Sequence, residues 1–438
     1  MGKLKIIAIM TLPALLLAGC GTENNSASNG GDNSSSSKVV NLTVWDDYSR
    51  STPTGKAYQK LVNEFNATHP DIHVNAQYVT DGDQLEPKLE TALAGNQEPD
   101  MVAGGYPTWG PGLMDSGKVV NLTPYLDSSK TLKASDFYNG MLQVSTYKGQ
   151  VLSIPNDGGD YGLFYNEQIF KEAGITSPPK TWTQVAQDSK IIKQKTGKYG
   201  FYVPIGNTEW TVWTFEGMLW ANGGTFIDTS GQKAKVEFNS PAGDEALQTW
   251  VSMIKNGDSP STAYPVSMSV ATYLQKNQVS MALDGPYDVP TLESAGYPLG
   301  TEMFPKGTVS TATNLGTDAF FVFKTGTAQE NASWKFIEWF MQPSRLAQWD
   351  IATGFLPTET SVLNTSAYKA FLAKNPKIEP LVENLKYAQG RPTLKSYTAI
   401  STELGNYIEE AFYGKISVQT ALNDAAAQAK TILTQNNE

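Results

Sequence analysis

Two kinds of side chain stand where they can do chemistry: large aromatics in loops broken by glycine and proline, and aspartates next to strand ends. Tyr106 and Trp109 lie in GGYPTWGPG, where glycines and prolines forbid regular structure. Trp210 and Trp213 open the segment EWTVWTFEGMLWANGG, whose Trp220, deeper in the same run, reads as core. Tyr287 follows Asp284-Gly285-Pro286, and Phe355 follows Gly354 in TGFLP. Asp46 and Asp47 end the first apolar strand, Asp160 closes an Asp-Gly-Gly-Asp turn, and Asp318 stands in Gly316-Thr317-Asp318. Flat rings can cover C–H faces, and desolvated carboxylates can accept O–H donors. Together they suit recognition of a polyhydroxylated molecule. Helix capping and loop packing remain open for each of these residues.

Bond-making signatures do not accompany them. The Gly-Lys pairs at 2, 55, 117, 197 and 414 are followed by Leu, Ala, Val, Tyr and Ile, so there is no phosphate-cradling P-loop, and neither G-x-G-x-x-G nor G-x-S-x-G occurs. His69 and His73 are the only histidines, and Pro70 between them breaks the helix that a zinc pair would need. Asp81-Gly82-Asp83 and Asp157/Asp160 lack the full spacing of a calcium loop. A carboxylate pair for glycoside hydrolysis is defined by separation in space and stays open at this level. The expectation is a binding protein without metal or cofactor. A net charge of −10 and the absence of a basic stripe argue against nucleic acid.

These residues need a scaffold, and its centre is the stretch Ile154 to Trp182. It reads as a strand end, a turn through Asp157-Gly158-Gly159-Asp160, a second strand from Tyr161, a short helix ended by Gly174, and Pro178-Pro179 before a helix capped by Thr181. Upstream, Val39 to Trp45 predicts a buried strand, Tyr58, Leu61, Val62 and Phe65 an amphipathic helix, Ile72 to Ala76 a strand, Leu85 to Leu93 a helix and Met101 to Ala103 a strand. That order is the doubly wound α/β pattern. With 438 residues, two domains or one large one are expected.

The N-terminus carries a separate message. Lys3 and Lys5 precede an apolar run, Ile6 to Ala18, that is short for a bilayer span, and Leu17-Ala18-Gly19-Cys20 resembles the lipobox of bacterial lipoproteins. Residues 1–19 are therefore expected to be a signal peptide, and Cys20, the one cysteine, to be lipidated. Residues 20–38 supply that Cys and a Ser/Asn/Gly tether with a reach of about 20–25 Å. The chain is expected on the outer face of the bacterial cytoplasmic membrane.

The ordered set KLVNEFNATHPDIHV, KLETALAGNQEPDMV and GLFYNEQIFKEAGI…PPKTW, with later segments through the last helix, resembles the extracellular sugar-binding proteins of ABC importers. The group includes maltose-binding and glycerol-phosphate-binding proteins. The resemblance implies a two-lobe periplasmic-binding-protein-like α/β fold with several crossovers and the ligand in the cleft. Lobe one would hold 39–157 and 300–343, and lobe two 158–299 and 344–438. It further implies that Trp213 and Tyr287 stack on the ligand, Tyr287 replacing a Trp, and that Phe355 keeps a stacking face where a relative has Tyr. Tyr397 would face the cleft from the C-terminal segment. The phosphate-holding Arg column falls on Ser401, with Arg391 ten residues away, which argues against a phosphorylated ligand. The implied partners are a carbohydrate and the permease subunits, the chain acting as a monomer. A glycerol-phosphate or polyol binder, a surface-anchored glycoside hydrolase and an adhesin or sensor are the alternatives.

Overall fold

The computed structural model describes residues 39–80, 82–206, 209–262 and 269–438. The expected leader, Cys20 and tether lie outside the described residues, as does Asp81 of the rejected calcium motif. No helix among the described residues is long and apolar enough to cross a membrane.

Two sheets organise the chain. The first runs Ile72–Tyr78, Val40–Asp46, Met101–Gly105, Ala319–Val322 and Ile154–Pro155, with the first three strands parallel and the last two antiparallel to their neighbours. Its centre, Met101–Gly105, is buried along its whole length. This is the expected behaviour of a strand covered on both faces. The helix Pro53–Thr68 begins where the Thr52 side chain accepts the Gly55 N–H, and it buries Tyr58, Leu61, Val62 and Phe65, the residues that its apolar spacing selects.

The second sheet runs Leu299–Glu302, Gly162–Asn166, Val279–Asp284 and Tyr199–Phe201. The helices Tyr397–Phe412 and Val418–Gln435 pack on this side of the molecule, with Ile400, Leu404, Ala421, Leu422 and Ala425 in the same apolar cluster as Phe201 and Met281. The expected lobe limits at 300 and 344 do not coincide with the changes of sheet. Leu299–Glu302 still pairs with Gly162–Asn166, so the return to the first sheet comes only at Ala319. The helix Pro343–Thr353 sets Trp349 against Tyr48 at 5.1 Å and Phe340 at 5.6 Å, in the aromatic packing of the first side.

Between the sheets, three crossing segments form a small sheet of their own: Gly159–Asp160, Thr313–Gly316 and Ala388–Gly390. Leu315 pairs with Asp160 and Gly316 with Gly159. The Asp-Gly-Gly-Asp stretch is thus an extended, laddered crossing and not the expected turn. Neither Gly158 nor Gly159 has a positive φ. Gly158 is small for a different reason: a Cβ there would lie 2.4 Å from Met141 Cε and 3.0 Å from the Leu356 carbonyl oxygen.

Candidate functional site

A cavity of about 490 Å³ opens beside these crossings, and among the described residues eight separate segments line it. Tyr106 and Trp109 come from the end of the central strand of the first sheet, where Pro107–Trp109 makes one 3-10 turn. Their ring centroids are 5.4 Å apart, and Trp109 stacks on Phe321 at 6.1 Å. Gly105 makes this possible, because a Cβ there would sit 2.9 Å from both the Trp109 and Phe321 rings. Opposite, Trp213 lies on the helix Glu209–Ala221 with its ring 4.6 Å from Tyr161. Tyr287 lies in the 3-10 turn Pro286–Asp288, its ring folded over the place where a Cβ on Gly285 would be. Phe355 follows Gly354, whose φ of +82° ends the helix Pro343–Thr353. Tyr106, Trp109, Trp213, Tyr287, Asp318, Phe355 and Tyr397 all line the cavity.

Four expected residues are not among its lining, and each has a physical reason. Asp46 is fully buried, and Arg50 grips both its oxygens at 2.7 Å while the Tyr48 N–H donates at 3.1 Å. That carboxylate belongs to a structural ion pair. Burial raises its pKa, and Arg50 opposes the shift. Asp47 is packed against Gly104, where a Cβ would overlap its Oδ1. Asp160 is displaced by strand alternation: Gly159 faces the cavity, so Asp160 points to the opposite face, where it is 1% exposed. Trp210 stacks on Tyr202 at 6.1 Å, nearly parallel, outside the cavity.

The lining also holds Glu86, Asp157, Glu209, Thr317, Arg391 and Thr398, which sequence reasoning did not single out as ligand-facing. Glu209 adjoins Trp210 and was legible at most as a helix-start acid. Arg391 donates to Glu209 Oε1 at 3.1 Å and lies 5.6 Å from the Trp213 ring centroid and 5.9 Å from that of Tyr397. The Tyr397 hydroxyl donates to Glu209 Oε1 at 2.7 Å, and Ser401 also hydrogen-bonds Glu209. A guanidinium does reach the cavity, from Arg391 and not from the Ser401 position, while Ser401 hydrogen-bonds Glu209.

The floor is acidic. The Asp318 N–H donates to Asp157 Oδ1 at 2.9 Å, and the Thr317 hydroxyl donates to the Asp157 carbonyl at 2.5 Å. Burial pushes Asp157 up to about 7 against the opposing hydrogen bond from the Asp318 N–H. Burial, then the charges of Asp157 and Asp47, push Asp318 well up too. Glu216, fully buried behind Tyr397, is raised by burial and by Glu209. Among the described residues no group of three His, Cys, Asp or Glu side chains is placed to hold a metal ion. The arrangement offers aromatic faces, acceptors and hydroxyls around one open cavity.

The chain is similar to the cyclic α-maltosyl-1,6-maltose binding protein of Arthrobacter globiformis at 29% identity and a TM-score of 0.82, covering 91% of this chain and 100% of that one. It is 23% identical to the sn-glycerol-3-phosphate-binding periplasmic protein of Pectobacterium atrosepticum, covering 90% and 91% of the two chains. It is 22% identical to the maltotriose-binding protein of Pyrococcus abyssi, covering 72% and 66%. These relatives are binding proteins rather than enzymes, and the fold is their two-lobed α/β fold. The model of the bacterial extracellular solute-binding proteins matches residues 48–344, and the chain belongs to that family.

Proposed function

We propose that the protein is a lipid-anchored receptor that captures a sugar or short oligosaccharide between its lobes and delivers it to the permease of an ABC importer. The observation that carries the sugar reading is the collar of Tyr106, Trp109, Trp213, Tyr287 and Phe355 around a floor of carboxylates. Rings stack on the C–H faces of a sugar, and carboxylates accept from its hydroxyls. The crossings at 157–160, 313–318 and 388–390 would be the hinge, and a ligand touching both lobes favours the closed state. The anchor would be Cys20 and the tether residues 20–38. The receptor would act as a monomer.

Glycerol phosphate is the second reading. It is favoured by the relative of Pectobacterium and by the presence of Arg391 in the cavity. Against it, Arg391 is committed to Glu209, and among the described residues four carboxylates share the lining with that single guanidinium. A thermal-shift screen over saccharides, polyols and glycerol phosphate tests the choice. A ligand at 100 times its dissociation constant adds about 2.7 kcal/mol to stability. Stabilisation by glycerol 3-phosphate alone would overturn the sugar reading.

A further inference from the structure

We infer, resting on the reading of the cleft as a saccharide site, that its ligand carries a basic nitrogen: an amine-bearing saccharide whose ammonium group lies against Asp157 and Asp318. Among the described residues, the lining sets Asp157, Glu209 and Asp318 beside one cation, Arg391. Arg391 is already paired with Glu209 at 3.1 Å and lies beside two aromatic rings. Asp157 and Asp318 are joined through the Asp318 amide, and no ion pair among the described residues includes either of them. Acidic groups stand near them among the described residues. Asp47 acts on Asp318, and the fully buried Asp350 lies within the electrostatic reach of Asp157.

Carboxylates crowded in a desolvated place cannot all stay ionised. They are neutralised either by protons or by an incoming cation. Burial pushes both floor acids toward the protonated form, so a ligand without charge leaves the protons in place. An ammonium replaces them with a charge-assisted hydrogen bond, which is the stronger contact. Trp213, Tyr287 and Phe355 line the same volume, and the negative faces of their rings favour a cation for the same electrostatic reason. A phosphate would meet the opposite field.

The test is calorimetric titration of the wild-type protein with matched pairs that differ in the basic nitrogen: glucosamine and N-acetylglucosamine, chitosan and chitin tetramers, acarbose and maltotetraose. In the pair that contains the tightest ligand, the amine member is expected to bind about tenfold tighter or more. Its binding should release protons, read as a heat that differs between buffers of unlike ionisation enthalpy. In Asp318→Asn the ratio of the two affinities should shrink. A neutral member that binds as tightly as its amine partner overturns the inference and leaves the saccharide site standing. If no saccharide of either kind binds, the reading of the cleft fails with it.

Discussion

Glu209 and Arg391, 182 residues apart in the chain, meet at 3.1 Å in the wall of the cavity, and Tyr397 and Ser401 donate to the same carboxylate. Glu209 thereby gathers the one guanidinium of the lining into an internal pair. A charged side chain held this way, beside ring faces, is not available as a bidentate clamp for an anion.

Freeing Arg391 should change ligand choice. In Glu209→Gln the amide keeps the shape and loses the charge, so the guanidinium regains its capacity for an anion. Affinity for glycerol 3-phosphate is expected to rise about tenfold or more by calorimetry, about 1.4 kcal/mol. No gain would mean that the surrounding acids, rather than the Glu209 pair, exclude phosphate.

Trp213 offers a ring to the cavity while its other contacts are to Tyr161 and Arg391. Trp213→Ala is expected to weaken binding of the stabilising saccharide by about 2 kcal/mol or more, the size of an aromatic hot spot. Trp210→Ala, on the same helix but outside the cavity, should change affinity little. Fluorescence titration of both variants, with melting curves to show that they fold, separates the two.

Asp157 sets a pH dependence with a definite sign. Its folded-state pKa stands at about 7, above the ordinary value of 3.8. Between those two values the native state holds a proton that the unfolded state has lost. Stability of the ligand-free protein should therefore fall as pH rises through that window and level off above it. Asp157→Asn keeps an acceptor for the Asp318 N–H and has no proton to lose. Its melting temperature is expected to vary less between pH 5 and 8 and to exceed wild type at the upper end.

Asp46 is placed in the scaffold and not in the cavity. Asp46→Ala strands the Arg50 guanidinium, whose partner was fully buried. A loss of about 3 kcal/mol in urea unfolding is expected, the cost of breaking a buried pair by removing one member. Ligand affinity measured at a temperature where the variant is folded should match wild type. A large drop in affinity instead would return Asp46 to the site.

The sequence made the scaffold readable because its periodicities are local. Tyr58, Leu61, Val62 and Phe65 declare one helix face, and all four are buried. The loop aromatics were readable only in part: glycine and proline around Tyr106, Trp109, Tyr287 and Phe355 mark breaks between elements, but they do not forbid regular structure, since Pro107–Trp109 and Pro286–Asp288 are 3-10 turns and the helix Gly110–Asp115 follows at once. The acids were not. Whether Asp46, Asp47, Asp157 or Asp160 faces the cavity depends on strand phase, and one residue of shift reverses the face. Glu86 sits on a helix surface like any solvated acid, and Arg391 gains its meaning only when Glu209 is brought to it. The changes of sheet were misplaced because Leu299–Glu302 pairs backward with Gly162–Asn166, a long-range choice that breaker residues near 300 do not encode.

The three crossing segments have a mechanical consequence. Since Thr313–Gly316 is hydrogen-bonded to Gly159–Asp160 on one side and Ala388–Gly390 on the other, they cannot flex as separate threads. Torsion entered at one is handed to the next, as in a leaf hinge whose plates share a pin. Under the proposed closure, Asp157 and Asp318 lie almost on the pin and hardly travel. Tyr106 and Tyr287, set at the ends of strands from the two different sheets, would be carried toward each other. The charge test on a ligand would then be applied at a point that stays still, and the rings would arrive last to seal it.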